Sequence, residues 1–206
     1  MEDLLIFPYS GTGIEALDCI EGQFRCIGFI SDDADVIGKI KHNIPIYGRE
    51  AFKNFPGAKI LAVPGSPKSY LKRKEIINGF DVDQSRLVTI VHPKAIISKN
   101  ADIGKNVLIM GGVVITSNAI VEDHVCILPN SVLHHDSKIK EYSLVGANVT
   151  IAGNVVIGVN CYLGAASSII NGIVIGERSL VGIGSNVITS CLPDSKMVGN
   201  PARNLN

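Results

Sequence analysis

Beginning at Ile97, every sixth residue of the chain is aliphatic: Ile97, Ile103, Ile109, Ile115, Val121, Ile127, Leu133, Ile139, Val145, Ile151, Ile157, Leu163, Ile169, Ile175, Val181 and Val187. Four residues after each comes Ala, Val, Ser or Cys, with Ile173 the one departure. Three residues after each, Asn or Gly dominates, at Asn100, Asn106, Gly112, Asn118, Asn130, Asn148, Asn154, Asn160, Gly172 and Gly184. These residues tolerate positive φ, so each repeat carries its own corner. A six-residue period with a corner in each repeat fits neither a helix nor a meander. It fits short straight rungs, three of which close a coil of eighteen residues with the aliphatic side chains stacked inside. The expected fold is a parallel β-helix of about five coils, roughly 25 Å long at ~4.8 Å per rung.

This register places the stretch "NSVLHHDSKIKEYSLV", Asn130 to Val145. Leu133 points inward, so His134 faces out, and His135 and Asp136 fall at a corner. Asp136 stands where Asn or Gly usually sits and suits a turn. For His135 neither apolar packing nor turn chemistry explains the residue. An imidazole on a corner, beside an acid that can hold its tautomer, is what a general base needs.

The first ninety residues follow another pattern. "LLIFPYSGTGIEALDCI" reads as a buried strand, Leu4 to Phe7, a glycine turn, and a helix with apolar Ile14, Leu17, Cys19 and Ile20. Gly11-Thr12-Gly13-Ile14-Glu15-Ala16 fits G-x-G-x-x-G/A, in which backbone N–H groups at a helix start receive a phosphate. "FRCIGFI" is a second strand ending in Ser31-Asp32-Asp33, where an acid can accept a hydrogen bond from a ribose hydroxyl. "AKILAV" is a third strand, leading through Pro64-Gly65-Ser66 to a helix around Tyr70 to Ile77, and "RLVTIV" a fourth, before His92-Pro93. The run Lys72-Arg73-Lys74-Glu75 reads as a solvated helix face. The expectation is a small α/β, Rossmann-like βαβαβ domain over 1–90 and the β-helix with a C-terminal tail over 91–206. Half a dinucleotide fold suits one nucleotide better than NAD.

The formal net charge of zero gives no general attraction to nucleic acid. No apolar run reaches the ~18–20 residues of a membrane span, and the start "MEDLLIFPYSGTG" lacks the basic region of a secretory signal. The five cysteines form no CxxC pair, which suits reduced, buried thiols in a cytoplasmic protein. A metal enzyme would need three spaced histidine ligands; the solenoid offers only His124, His134 and His135, so no metal is expected.

With "SGTG" after the first strand, "GFISDD" after the second, "VHPKAIIS" at the junction, "HHD" mid-solenoid and "VGNPAR" near the end, the chain resembles the sugar O-/N-acyltransferases of the left-handed β-helix, hexapeptide-repeat superfamily. These include sialic-acid O-acetyltransferases and the N-acetyltransferases of nucleotide-linked 4-amino sugars of the bacillosamine and perosamine type. The resemblance implies a left-handed coil. It implies acetyl-CoA as co-substrate, a UDP- or GDP-linked amino sugar as acceptor, and a homotrimer with sites between subunits. It makes His135 the catalytic base and Asp136 its supporting acid. Ser10, Gly11, Thr12, Gly13, Asp32, Asp33 and His134 would contact the nucleotide-sugar, and Gly153, Gly182 and Arg203 the coenzyme. The family often has histidine where Thr12 and Leu144 stand, and an acid where Ser31 stands. Sugar O-acetylation and a non-catalytic nucleotide-sugar scaffold are the competing readings. Outward Leu128, Ile170 and Ile188 suggest that part of the outer surface is covered.

Overall fold

The computed structural model describes residues 1–205. Five strands form the N-terminal sheet: β1 (Glu2–Phe7), β2 (Phe24–Ile30), β3 (Ile40–Lys41), β4 (Ile44–Tyr47) and β5 (Lys59–Ala62). Their order is β3-β4-β2-β1-β5. β1 runs parallel to β2 and β5, and β2 parallel to β4, while β3 turns back antiparallel on β4. Both faces of β1 are buried, as a parallel sheet requires. Leu5 and Phe7 pack with Phe52, Ile77 and Phe80. Leu4 and Ile6 pack with Ala16, Cys19 and Ile20, and also with Leu108, Met110, Cys126 and Leu144 of the solenoid.

Two expectations for this region change, and one element is added. The helix after β1 is only α1 (Gly11–Glu15), which tightens into a 3-10 turn over Ala16–Cys19. "RLVTIV" does not supply a sheet strand. Leu87 makes one isolated bridge to Ile60, and Ile90–Val91 pairs with Leu108–Ile109 as a rung of the solenoid. The β3–β4 hairpin was not anticipated. It turns through His42 and Asn43, both at positive φ (52° and 60°), the two-residue loop that matches strand twist.

From Ile90–Val91 to Asn186–Val187, seventeen two-residue strands recur every six residues among those described. They pair in parallel at a shift of eighteen, as Val114↔Val132, Ile120↔Lys138 and Cys126↔Leu144, and so form the three sheets of a triangular prism. The inward residues from Ile109 to Val187 are buried in one continuous core. Positive φ recurs at the corners from Asn106 to Asp194. Asn100 is not among the left-handed corners, whereas His124, Tyr142, Ala166 and Arg178 are, although neither Asn nor Gly. The residues four after each aliphatic include buried serines that tie coils together. Ser137 Oγ donates to Ala152 O (2.6 Å) and accepts from Val155 N (3.0 Å), and Ser131 and Ser143 repeat the pattern.

The N-terminal sheet sits on the face that carries Leu108, Cys126, Leu144, Tyr162 and Leu180. Leu128, read as outward-facing, is half-buried by this packing. Along one edge of that face a column of corners joins the two parts. The Asn106 amide pairs both ways with the backbone of Ala62, accepting from its N (2.8 Å) and donating to its O (2.9 Å). Its second N–H meets His124 Nδ1 at 3.0 Å, and the His124 ring stacks on Tyr142. Burial lowers the His124 pKa, which keeps that nitrogen an acceptor.

Arg73 overturns the reading of its segment as solvated. It lies at the start of α2 (Arg73–Asn78) and is wholly buried. Nε donates to Tyr142 O (2.9 Å), Nη2 to His124 O (2.5 Å) and Nη1 to Pro64 O. Burial pulls the guanidinium down to about 10, so it remains charged at neutral pH. Arg73→Met should leave three carbonyls without this donor and destabilise the chain by about 3 kcal/mol or more. Lys72→Met, one residue away and exposed, should change stability by less than about 0.5 kcal/mol; chemical denaturation of both variants measures the contrast.

Candidate active site

His135 and Asp136 lie on the edge where the face of Val114, Val132, Thr150 and Ser168 meets the face of Ile120, Lys138, Val156 and Val174. The coil ladder pins their backbone from both sides: Asp136 N donates to Ser117 O (3.1 Å), and His135 O accepts from Asn154 N (3.0 Å). Asp136 has φ 59°, so it does form the corner, and its carboxylate also serves the neighbouring ring. His135 Nδ1 and Asp136 Oδ2 are 2.7 Å apart. With Nδ1–H donated to the carboxylate, Nε2 is left as a free lone pair on an exposed ring. The hydrogen bond from His135, and after it that from Asn118, holds the Asp136 carboxyl below the usual carboxylate range. An ionised Asp136 favours the imidazolium that would form when Nε2 takes a proton.

Gly153 lies one coil further on, directly against this ring. A Cβ there would stand 2.7 Å from both Cε1 and Nε2 of His135. A side chain there would have to displace the ring, and the backbone itself does not call for glycine, its φ lying outside the left-handed region. His134 faces solvent, as expected.

The other predicted residues form two separate groups. The first follows the C-terminal ends of the parallel strands, where open α/β sheets receive ligands. Ser10 Oγ accepts from Gly13 N (3.2 Å) and caps α1. A Cβ at Gly11 would meet nothing within 4 Å, whereas one at Gly13 would lie 2.3 Å from Pro8 O. Gly11 is thus open to a ligand, and Gly13 is needed for close packing. Thr12 lines a cleft of about 180 Å³ with Gly65, Ser66, Leu144, Gly146 and Tyr162, between this edge and the docked face of the solenoid. Asp32 is held by Arg49 through two hydrogen bonds (2.6 and 2.7 Å), and Asp33 Oδ1 accepts from Asp35 N (2.9 Å). Ser31 is buried and its Oγ accepts from Asp33 N (3.1 Å). Sequence reasoning missed Arg49; its only signal was a lone cation just after a short strand.

The second group is Gly182 with Arg203. A Cβ at Gly182 would lie 3.1 Å from Val198, and Val198 pairs with Arg203 in the closing hairpin Lys196–Gly199/Ala202–Asn204. These two sit at the edge between the docked face and the face of Val132, not on the edge of Gly153. Within one chain, therefore, the His135–Asp136 pair, the Ser10–Gly13 turn and the tail lie apart from one another. The edge bearing His135 is opposite the face covered by the N-terminal sheet.

Residues 118–153 match the family described as bacterial transferase hexapeptide (six repeats). Solved structures similar over the whole chain include PerB from Caulobacter crescentus in complex with CoA and GDP-perosamine. It is 21% identical, with a TM-score of 0.83, covering 100% of this chain and 98% of that one. The acetyltransferase domain of PglB from Neisseria gonorrhoeae, in complex with acetyl coenzyme A, is 20% identical at 0.83, covering 99% of each chain. WeeI from Acinetobacter baumannii is 22% identical at 0.84, covering 100% of each. No curated protein sequence matches the chain. At these identities the likeness is one of fold. It spans both parts of the chain, and the repeated parallel strands fit the left-handed form of the β-helix.

Gly153→Ala should push the His135 ring off its neighbour and stretch the Nδ1–Oδ2 separation beyond about 3.5 Å. A crystal structure of the variant decides this; a ring in its present place would mean that Gly153 does not shape the pair.

Proposed function

We propose that the protein is an acetyl-CoA-dependent acetyltransferase acting on the amino group of a UDP- or GDP-linked amino sugar. One observation carries the reading: a histidine held by a carboxylate through Nδ1, with Nε2 free, on the edge of a hexapeptide solenoid. The whole-chain fold likeness to proteins described with CoA and GDP-perosamine, or with acetyl coenzyme A, supports the choice of co-substrates. Residues 1–90 would be a Rossmann-like nucleotide-sugar domain and 91–206 the acyl-transfer domain.

The chemistry follows from the pair. A sugar ammonium must lose a proton before its nitrogen can attack a thioester. His135 Nε2 accepts that proton, worth about 10²–10⁴-fold in rate, and Asp136 stabilises the imidazolium. The amine nitrogen bonds to the carbonyl carbon, the C–S bond breaks as the tetrahedral species collapses, and the CoA thiolate takes the surplus proton of the new amide nitrogen, while the first proton passes from His135 to water. No acyl-enzyme is needed. The cysteine thiols at 19, 26, 126 and 161 are pushed up to between about 11 and about 12 by burial, which leaves them poor nucleophiles.

Placement argues for assembly. The turn at Ser10 to Gly13, with Asp32 and Asp33, would hold the nucleotide, yet His135 is on the far edge of the same prism. A homotrimer brings the edge of one subunit to the cleft of the next. Ile96, Ile170 and Ile188, between 45% and 66% exposed, lie on or beside one flank of the His135 edge and would be covered. Such packing also gives the coenzyme a groove with Gly153 on one wall and Gly182 and Arg203 on the other, His134 lying beside the acceptor. The trimer would act in the cytoplasm. Among the described residues no helix is long and apolar enough to cross a membrane.

His135→Ala should lower kcat at least about a hundredfold, and Gly11→Val should block the phosphate approach without a packing clash. Mixed in equal amounts and reassembled, the two inactive variants should recover about a quarter of parental activity, the share of sites with both parts intact. Transfer of acetyl from acetyl-CoA to nucleotide-linked 4-amino sugars, read as CoA release, measures it. No recovery from mixed trimers would place the whole site in one chain.

A further inference from the structure

The Asp136 carboxylate has a second partner. Asn118, one coil before it on the same edge, donates from Nδ2 to Asp136 Oδ1 at 3.0 Å, while Oδ2 faces His135 Nδ1 at 2.7 Å. Both oxygens are thereby occupied, and the carboxyl plane is fixed with one oxygen aimed at the ring. Because the backbone of the pair is already pinned by the coil ladder, only side-chain torsions remain free. Asn118 restrains those of Asp136, and the bare Gly153 leaves room for His135.

Corner geometry alone does not account for the amide. Asn118 has φ 59°, but the equivalent corner is made elsewhere by Tyr142, Ala166 and Arg178. The chemistry of the donor also fits. An uncharged N–H binds the carboxylate without cancelling its charge, so Asp136 remains able to stabilise an imidazolium. A lysine at the same place would compete with His135 for that charge.

We propose that Asn118 is a positioning residue for acetyl transfer, orienting the Asp136 carboxylate and through it the His135 imidazole. The proposal rests on the acetyltransferase reading above. The low Asp136 pKa, to which Asn118 contributes after His135, agrees with it.

Two variants test it without breaking the corner. Asn118→Gly removes the donor and keeps a residue suited to positive φ, and Asn118→Asp keeps size and turn preference but sets a like charge against Asp136. The Asp136 side-chain ¹³C signal, identified by its loss in Asp136→Asn, should titrate about half a pH unit higher in Asn118→Gly and higher still in Asn118→Asp. With GDP-perosamine or a UDP-linked 4-amino sugar as acceptor, kcat should fall about 5- to 20-fold in Asn118→Gly, more in Asn118→Asp, with the KM for acetyl-CoA within about twofold. An unmoved midpoint in both variants overturns the proposal, as does a moved midpoint with kcat within twofold of the parent. A parent protein that acetylates none of these acceptors defeats the acetyltransferase reading instead; the midpoints then decide alone whether Asn118 holds Asp136.

Discussion

The stack of aliphatic side chains inside the prism is the constraint on which the rest depends. Each rung is only two residues long, so no single strand could persist in water. Stability comes from repetition: an inward Ile, Leu or Val on each side of each coil, and a hydrogen-bond ladder from each coil to the next. The exact eighteen-residue translation has a consequence for chemistry. Side chains at equivalent corners lie above one another, so Asn118, Asp136 and Asn154 form one column, and Ser117, His135 and Gly153 another. A histidine–aspartate pair placed in such columns inherits its neighbours from the residues eighteen before and eighteen after. The donor to Asp136 and the space for the His135 ring both arise in this way.

The junction of the two parts shows a different economy. The N-terminal sheet has too few helices to cover both its faces, and the solenoid supplies the missing layer through Leu108, Met110, Cys126 and Leu144. At the rim of this contact, turns and corners leave carbonyls that water cannot reach. Arg73 meets three of them with a fork of donors, and a carboxylate partner is not required because carbonyl dipoles solvate the cation. Gly65 is part of the same arrangement: its φ of 125° and its approach to Leu144 and Arg73 exclude a side chain. The loop that leaves β5 is thus held against the cleft it lines.

Much of this was legible in the sequence. The six-residue period gave the solenoid, its inward residues and nearly all of its corners, because a strict translation leaves no alternative register. The same period placed His135 and Asp136 together on a corner, and the glycine turn after β1 was legible from its spacing. What the period could not reveal was contact between the parts. Arg73 sits in a charged run that reads as solvent-facing, and Leu128 occupies a position that reads as outward; the first is wholly buried and the second half-buried by a surface far away in the chain. The β3–β4 hairpin was hidden because His42-Asn43 is a less familiar form of a left-handed turn than Asn-Gly.

The sequence by itself determined the prism, the pair at its corner and the class of turn at the N-terminal strand, since each depends on residues close in the chain or at a fixed repeat. Only the tertiary structure decided which face of the prism the N-terminal sheet covers. That choice depends on matching two apolar surfaces and satisfying the carbonyls at their rim, neither of which leaves a periodic trace. It places the glycine turn and the histidine on opposite sides of one chain.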